Sequence, residues 1–226
     1  MTTLPQTLFP HIDDWGELGR ACIDTLLMLG GSLALTVAIG LPLGVLLYLA
    51  APGQLRARPR LYGALSIVVN ILRSVPFIIL MIVLMPLTYV LVGTKLGVRG
   101  AIQPLVIGTA PFFARLVETA LREVQQGVIE AAQAMGASTW QVVHHVLLPE
   151  ARAGLWAGVT VTAIALVGYT AMGGAIGSGG LGDLAYRYGY LSYQSDYMVV
   201  TVVLLVLLVQ ALQMLGDRIV ARYKHR

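Results

Sequence analysis

Residues 25–55, 74–94, 153–182 and 197–216 contain no Asp, Glu, Lys or Arg. Each run meets the length of roughly 20 residues that a helix needs to cross the hydrocarbon of a bilayer. A fifth, weaker run, residues 100–114, is long enough when carried through Arg115 to Val117, because an arginine near a helix end can extend its head to the interface. The pattern predicts an all-α membrane protein with five spans, near residues 26–50, 67–90, 100–117, 155–176 and 198–215.

The polar positions punctuate these spans. Gly40-Leu-Pro42-Leu-Gly44 in the first predicts a kinked helix whose small residues let a neighbour approach closely, and Ala51-Pro52-Gly53 followed by Arg56, Arg58 and Arg60 closes it. The second span carries Pro76 and Pro86 and starts beside Asn70 and Arg73, groups that are costly in hydrocarbon unless they face protein or an interface. Arg73 reads as an interfacial anchor in preference to a charge on a transport path. Gln103-Pro104 and Ala110-Pro111 read as kinks in the third span. Residues 118–150, with Glu118, Arg122, Glu123, Glu130 and Glu150, are too polar to span anything. After the fourth span a Gly-rich stretch to Gly182 and a Tyr-rich segment, residues 186–197, form a long connection. The fifth span is expected to stop at Gly216-Asp217-Arg218. No repeat or second domain is visible, so residues 1–226 read as one domain.

Composition agrees: 57% of the 226 residues are hydrophobic and 12% charged, far from the balance of a soluble domain. With the N-terminus outside, 11 of the 15 Lys and Arg residues fall on the inner side and only Arg20, Lys95, Arg99 and Arg187 outside. The net charge of +4 is thus read as topology and not as affinity for nucleic acid. Asp13, Asp14 and Glu17 replace the basic region of a signal peptide, so an uncleaved first helix is expected. Cys22 is the only cysteine, which excludes an intrachain disulfide or a cysteine-based metal cluster.

The polar segment has its own logic. Residues 125–135 have helix-forming composition, Gly136 tolerates positive φ as a terminator, and Ser138 or Thr139 can cap a second helix reaching Leu147. Ala131, Ala132 and Ala134 suit close helix crossing, and Pro149 can open the fourth span. Two other signals carry little. Gly177-Ser-Gly179-Gly-Leu-Gly182 fits a dinucleotide fingerprint but follows an apolar spanning helix where a strand is required. His144 and His145 point about 100° apart on a helix, unlike an i, i+4 metal pair. No lysine sits in a Gly-Lys-Ser or Gly-Lys-Thr context, so the chain lacks a P-loop of its own.

The stretch EAAQAMGASTWQVVHHVLLP at residues 130–149 resembles the cytoplasmic EAA loop of ABC importer permeases, with Val146 where that family usually has Ile. The resemblance implies a type I importer permease fold with a cytoplasmic coupling-helix hairpin, at about residues 118–150, that docks on a separate ATPase subunit. It assigns coupling to Glu130, Ala131, Ala132, Gly136, Ala137, Val146, Leu148 and Pro149, with ATP and Mg bound by the partner and no cofactor in this chain. The stretches GLPLGVLLYL (40–49), VNILRSVPFIILM (69–81), GTAPFFARL (108–116) and LVGYTAMGGAIGSGGLGD (166–183) are similar to the methionine importer permeases. That likeness implies a permease homodimer, two ABC ATPase subunits and a periplasmic methionine-binding lipoprotein delivering L-methionine, and D-methionine as well, across a bacterial inner membrane. An importer of another amino acid or small solute is the alternative. A secondary transporter would show buried ionisable residues and inverted repeats, and a membrane enzyme a nucleophile or acid–base constellation; neither is evident. Five helices with many small residues enclose a path most readily as a two-fold pair. A gate is expected in the fourth span, where Tyr169 and Met172 are i, i+3 neighbours ahead of Gly173 and Gly174.

Overall fold

The computed structural model describes Ile12 and residues 14–224, with the side chain of Lys224 excluded. The expected chain ends, Arg226 among them, lie outside the described residues. Every regular element among those described is helical. Four helices are long and apolar enough to cross a membrane: α1 (Trp15–Ala50), α4 (Gly97–Arg122), α8 (Arg152–Gly174) and α10 (Ser195–Lys224). Between α1 and α4 lie α2 (Pro59–Ser74) and α3 (Phe77–Val92), bent by 106° about a short break; counted as one broken span they make the fifth.

That break corrects the expectation of one continuous span over residues 67–90. Val75 (φ −78°, ψ 126°) and Pro76 (φ −55°, ψ 132°) are both extended, the conformation that proline imposes on the residue before it. At the end of α2 the Ser74 hydroxyl donates back to the Asn70 carbonyl at 2.7 Å, and beyond the break the Ile79 and Leu80 amides both donate to Pro76 O at 3.0 Å. Backbone groups freed in hydrocarbon need such partners. Pro42 in α1, Pro86 in α3 and Pro104 and Pro111 in α4 lie within helices that continue through them.

Two other boundaries move. Helix α4 continues to Arg122, so residues 118–122, the start of the polar segment, are the last turn of this helix. Helix α10 runs past Gly216 to Lys224. Gly216 is no stop: a Cβ there would collide with Thr160 of α8, so the glycine is the seat of a helix contact. The Gln213 side chain donates to Asp217 at 2.9 Å, and Arg152 lies 5.0 Å over the Tyr223 ring, which carry the helix onward.

The described residues form two compact units. One draws on the described residues within Met1–Ala34, Pro76–Val106 and Ala163–Leu212. Its main core gathers Met28, Leu29, Phe77, Met81, Leu105 and Leu166. The Gly-rich stretch is tightly packed here: Gly177, Gly179 and Gly180 have positive φ, and Gly180 lies against Thr25 and Met28. Thr25 donates to Ala21 O at 2.9 Å and accepts from the Leu181 amide at 2.9 Å, fixing the short helix α9 (Gly180–Leu184) on α1.

The other unit draws on the described residues within Leu35–Val75, Ile107–Thr162 and Gln213–Arg226. Here Gly40 rests on Ala110 and Phe113, Gly44 rests on Ala114 and Val117, and the hydroxyls of Thr36 and Thr109 share a 2.7 Å hydrogen bond. Helices α1 and α4 therefore touch backbone to backbone along this seam, as the small residues predict.

Candidate coupling site

The polar segment folds as the helical hairpin that its composition predicts. Helix α5 (Gln126–Ala134) ends at Met135, and Gly136 follows at φ +83°. The Ala137 amide donates to Ala132 O at 3.1 Å and the Gly136 amide to Gln133 O at 2.9 Å, the two bonds of a Schellman turn. A capping box opens the second arm: Ser138 Oγ accepts from the Gln141 amide, and the Gln141 side chain accepts from the Ser138 amide at 2.7 Å. Helix α6 (Thr139–Val142) passes into a π-helical turn, Val143–Leu147, and then α7 (Leu148–Glu150). The Leu148 amide donates to Val143 O five residues back, directly ahead of Pro149, which has no N–H to extend the ordinary ladder. Pro149 lies in α7 and not in the first turn of α8.

One face of the hairpin is anchored. Ile129, Ala132, Val142, Val143 and Leu147 are buried in a cluster with Phe113, Val117 and Leu121 of α4 and Tyr48 of α1. The opposite face is bare: Met135 is 82% exposed and Trp140 69%, beside exposed Glu130, Ala131 and Gly136. Ala137, Val146, Leu148 and Pro149 are half-buried. The expected coupling residues thus divide, with Ala132 facing inward to hold the hairpin and Glu130, Ala131 and Gly136 facing outward. Met135 and Trp140 were not among the expected residues; two large apolar side chains flanking the predicted Gly turn were the signal. The His144 ring lies 4.6 Å from that of Trp140 and, edge-on, 6.5 Å from that of His145, whose Nδ1 lies 3.2 Å from Gln141 O.

Two hollows flank the hairpin. A cleft of about 380 Å³ is lined by Glu123, Gln125, Val128, Glu150 and Gly154. An apolar groove of about 350 Å³ runs past Leu41, Val45, Leu46, Trp140 and Leu148.

Above the hairpin's anchor, α4 carries a charge cluster that sequence reading missed. Glu118, 4% exposed, accepts from Arg115 Nη1 at 2.6 Å, Arg122 Nη2 at 2.8 Å and Tyr62 Oη at 3.1 Å. Arg115 Nη2 donates onward to Asn70 Oδ1 at 3.3 Å, so the cluster ties α4 to α2. Arg73, exposed, lies 5.8 Å from the Phe112 ring.

The expected gate residues lie in the other unit. Tyr169 stacks on Phe77 with ring centroids 4.3 Å apart, while Met172 is 48% exposed. Gly173 and Gly174 are buried close-approach positions: a Cβ on Gly173 would press on Ser178 and Met81, and one on Gly174 would overlap the Gly182–Asp183 backbone.

Comparison with known proteins adds to this geometry. The family described as "Binding-protein-dependent transport system inner membrane component" matches residues 40–226. The chain is 49% identical over 223 residues to the "Probable D-methionine transport system permease protein" of Vibrio cholerae, covering 96% of this chain and 99% of that one. It is 50% identical over 211 residues to the "Methionine import system permease protein" of Bacillus subtilis, covering 93% and 95%. Among solved structures, an inward-facing conformation of the MetNI methionine ABC transporter superposes with a TM-score of 0.92 at 49% identity, covering 98% of this chain and 99% of that one. An amino acid ABC transporter shares the fold at a TM-score of 0.76 and 15% identity, with coverage of 98% and 100%.

Proposed function

Since this chain belongs to the family of binding-protein-dependent transport system inner membrane components, we propose that it is the membrane-spanning subunit of an ATP-driven importer for methionine, in its L and D forms. The observation that carries the substrate is identity of 49% to 50% along nearly the whole chain with permeases named for D-methionine and for methionine. Residues 1–226 work as one permease domain. Two copies assemble with two ATPase subunits that bind ATP and Mg, and a periplasmic methionine-binding lipoprotein supplies the substrate. The N-terminus faces the periplasm and the hairpin the cytoplasm, the orientation favoured by the excess of Arg and Lys on the inner side.

In this reading Glu130, Ala131, Met135, Gly136 and Trp140 meet the ATPase. Force on that face passes through Ile129, Ala132, Val142 and Leu147 into α4 and α1, because a close-packed core transmits displacement without absorbing it. The Glu118 cluster makes α2 follow α4. Met172, exposed and flexible, closes the path around the two-fold axis, with Tyr169 fixed by Phe77 and Gly173 and Gly174 seating the neighbouring turn. Catalysis of ATP hydrolysis has no place in this chain.

Vesicles holding this permease, its ATPase and its binding protein should take up labelled methionine only when ATP is supplied. Uptake of another amino acid with methionine failing to compete would replace the substrate assignment while leaving the importer class standing.

A further inference from the structure

The apolar groove beside the hairpin continues into a charged end. Its walls are Leu41, Val45 and Leu46 of α1 on one side and Trp140, His144 and Leu148 of the hairpin on the other. A smaller hollow of about 140 Å³ shares Leu49, Trp140 and Val143 with it and adds Arg56. The backbone fixes that arginine in place. The loop after α1 folds back on the helix end, where the Arg56 amide donates to Leu49 O at 3.2 Å and the Arg58 amide to Ala50 O at 2.9 Å, satisfying carbonyls that a helix terminus leaves open. Arg56, Arg58 and Arg60 are exposed, and none of them joins an ion pair among the described residues. Leu41, Val45 and Leu49 follow one another at four-residue steps on one face of α1, a stripe about 12 Å long at a rise of 1.5 Å per residue. That length is close to the depth of one leaflet, half of a hydrocarbon core of about 30 Å.

We propose that this trough is a binding site for an anionic phospholipid, with an acyl chain along the α1 stripe and the phosphate at Arg56. The chemistry of the two ends selects that occupant. The stripe lies in the charge-free run of residues 25–55 and is therefore at hydrocarbon depth, which a water-soluble protein cannot reach. The spans of a second copy offer Arg56 no counter-charge, because residues 25–117, 153–182 and 197–216 hold no Asp or Glu. A phosphate meets a guanidinium through paired N–H···O bonds, and an indole such as that of Trp140 suits the boundary between acyl chain and headgroup. Trp140 lines the trough and still leaves 69% of its surface free for other contacts. A lipid seated there wedges the second arm of the hairpin against α1, so the charge of the leaflet bears on how the coupling face is set. The inference rests on α1 crossing the membrane and not on which substrate is carried.

The purified complex of permease and ATPase is titrated with phosphatidylglycerol and, separately, with phosphatidylcholine, and bound lipid is counted by native mass spectrometry. Phosphatidylglycerol should bind about fivefold more tightly, and Arg56→Gln should remove that preference while Arg56→Lys keeps most of it. Leu46→Trp, which fills the groove from an exposed position, should weaken binding of both lipids. Arg60→Gln, outside the trough, should change binding less than about twofold. Equal losses for Arg56→Gln and Arg60→Gln would mark a diffuse attraction between the basic loop and an acidic surface and overturn the site. A photoreactive residue at position 46 in nanodiscs of mixed phosphatidylglycerol and phosphatidylcholine should capture lipid; capture only of the ATPase or of a second permease assigns the groove to that protein and overturns the proposal. Should no ATPase co-purify, the importer reading fails, and the same titration of the permease alone still decides the lipid site.

Discussion

Gly44 of α1 sits so close to Val117 of α4 that a Cβ on the glycine would lie 2.5 Å from the valine Cβ and 2.6 Å from the Ala114 carbonyl oxygen. Neither neighbour is a flexible side-chain end, so the two helices must part to admit even a methyl group. Gly44→Val should cost about 1–3 kcal/mol through overpacking, lowering the melting temperature in detergent by several degrees. Gly63, which has open space around it, serves as the control. Equal melting temperatures for Gly44→Val and Gly63→Ala would show that α1 and α4 do not close on this glycine.

The Glu118 cluster is unequally buried, and its mutants should rank accordingly. Side-chain exposure is 5% for Glu118, 18% for Arg115 and 42% for Arg122. Glu118→Ala leaves the mostly buried Arg115 without its carboxylate, with Asn70 and Tyr62 as remaining partners, and should destabilise by about 3 kcal/mol. Arg122→Ala removes a half-solvated ion pair and should cost no more than about 1 kcal/mol. Thermal unfolding of the purified permease gives the order directly; an Arg122→Ala loss as large as that of Glu118→Ala would contradict it.

Gly136 has no atom near its missing Cβ, so a side chain there meets no steric neighbour and only the backbone objects. At φ +83° a β-branched residue is strongly strained. Gly136→Val should break the Schellman turn and reduce co-purification of the ATPase at least severalfold, whereas Gly136→Asn, which tolerates positive φ, should retain most of it. Membrane insertion should be unaffected by either. Full ATPase recovery with Gly136→Val would remove the turn from the coupling path.

Met172 offers a test of the gate. In a Cys22→Ala background, Met172→Cys in the resting importer should form a disulfide between the two permease copies, and ATP with loaded binding protein should suppress it. No cross-link in any state, with normal uptake by Met172→Ala, would leave Met172 as a packing residue.

The spans were legible because charge-free runs of about 20 residues have few other uses, and the hairpin was legible because each of its turns needs a particular residue, Gly136 at positive φ and Ser138 at the cap. Proline was less informative. Pro76 breaks a helix while Pro42, Pro86, Pro104 and Pro111 do not; a proline biases the backbone but does not by itself decide whether the helix goes on. Gly216 looked like a terminator beside Asp217 and Arg218 because its partner, Thr160, is 56 residues away in the chain. Glu118 looked like the start of the polar segment, and its place in a helix was hidden for a related reason: the arginines three residues before and four residues after it neutralise its charge within the helix, and Tyr62 completes the site from another helix.

Helix α4 is the least apolar of the four long helices and the most enclosed, with 61% of its most apolar stretch buried against 11% for α10. A segment of that kind gains little from lipid alone. During synthesis it should therefore wait at the translocation channel until α1 is beside it, with Gly40 and Gly44 offering backbone and Thr36 a hydroxyl in place of lipid. The seam of small residues would then act first as an instruction for the order of membrane entry, before any transport takes place, and α10, the most apolar of the four long helices, needs no such escort.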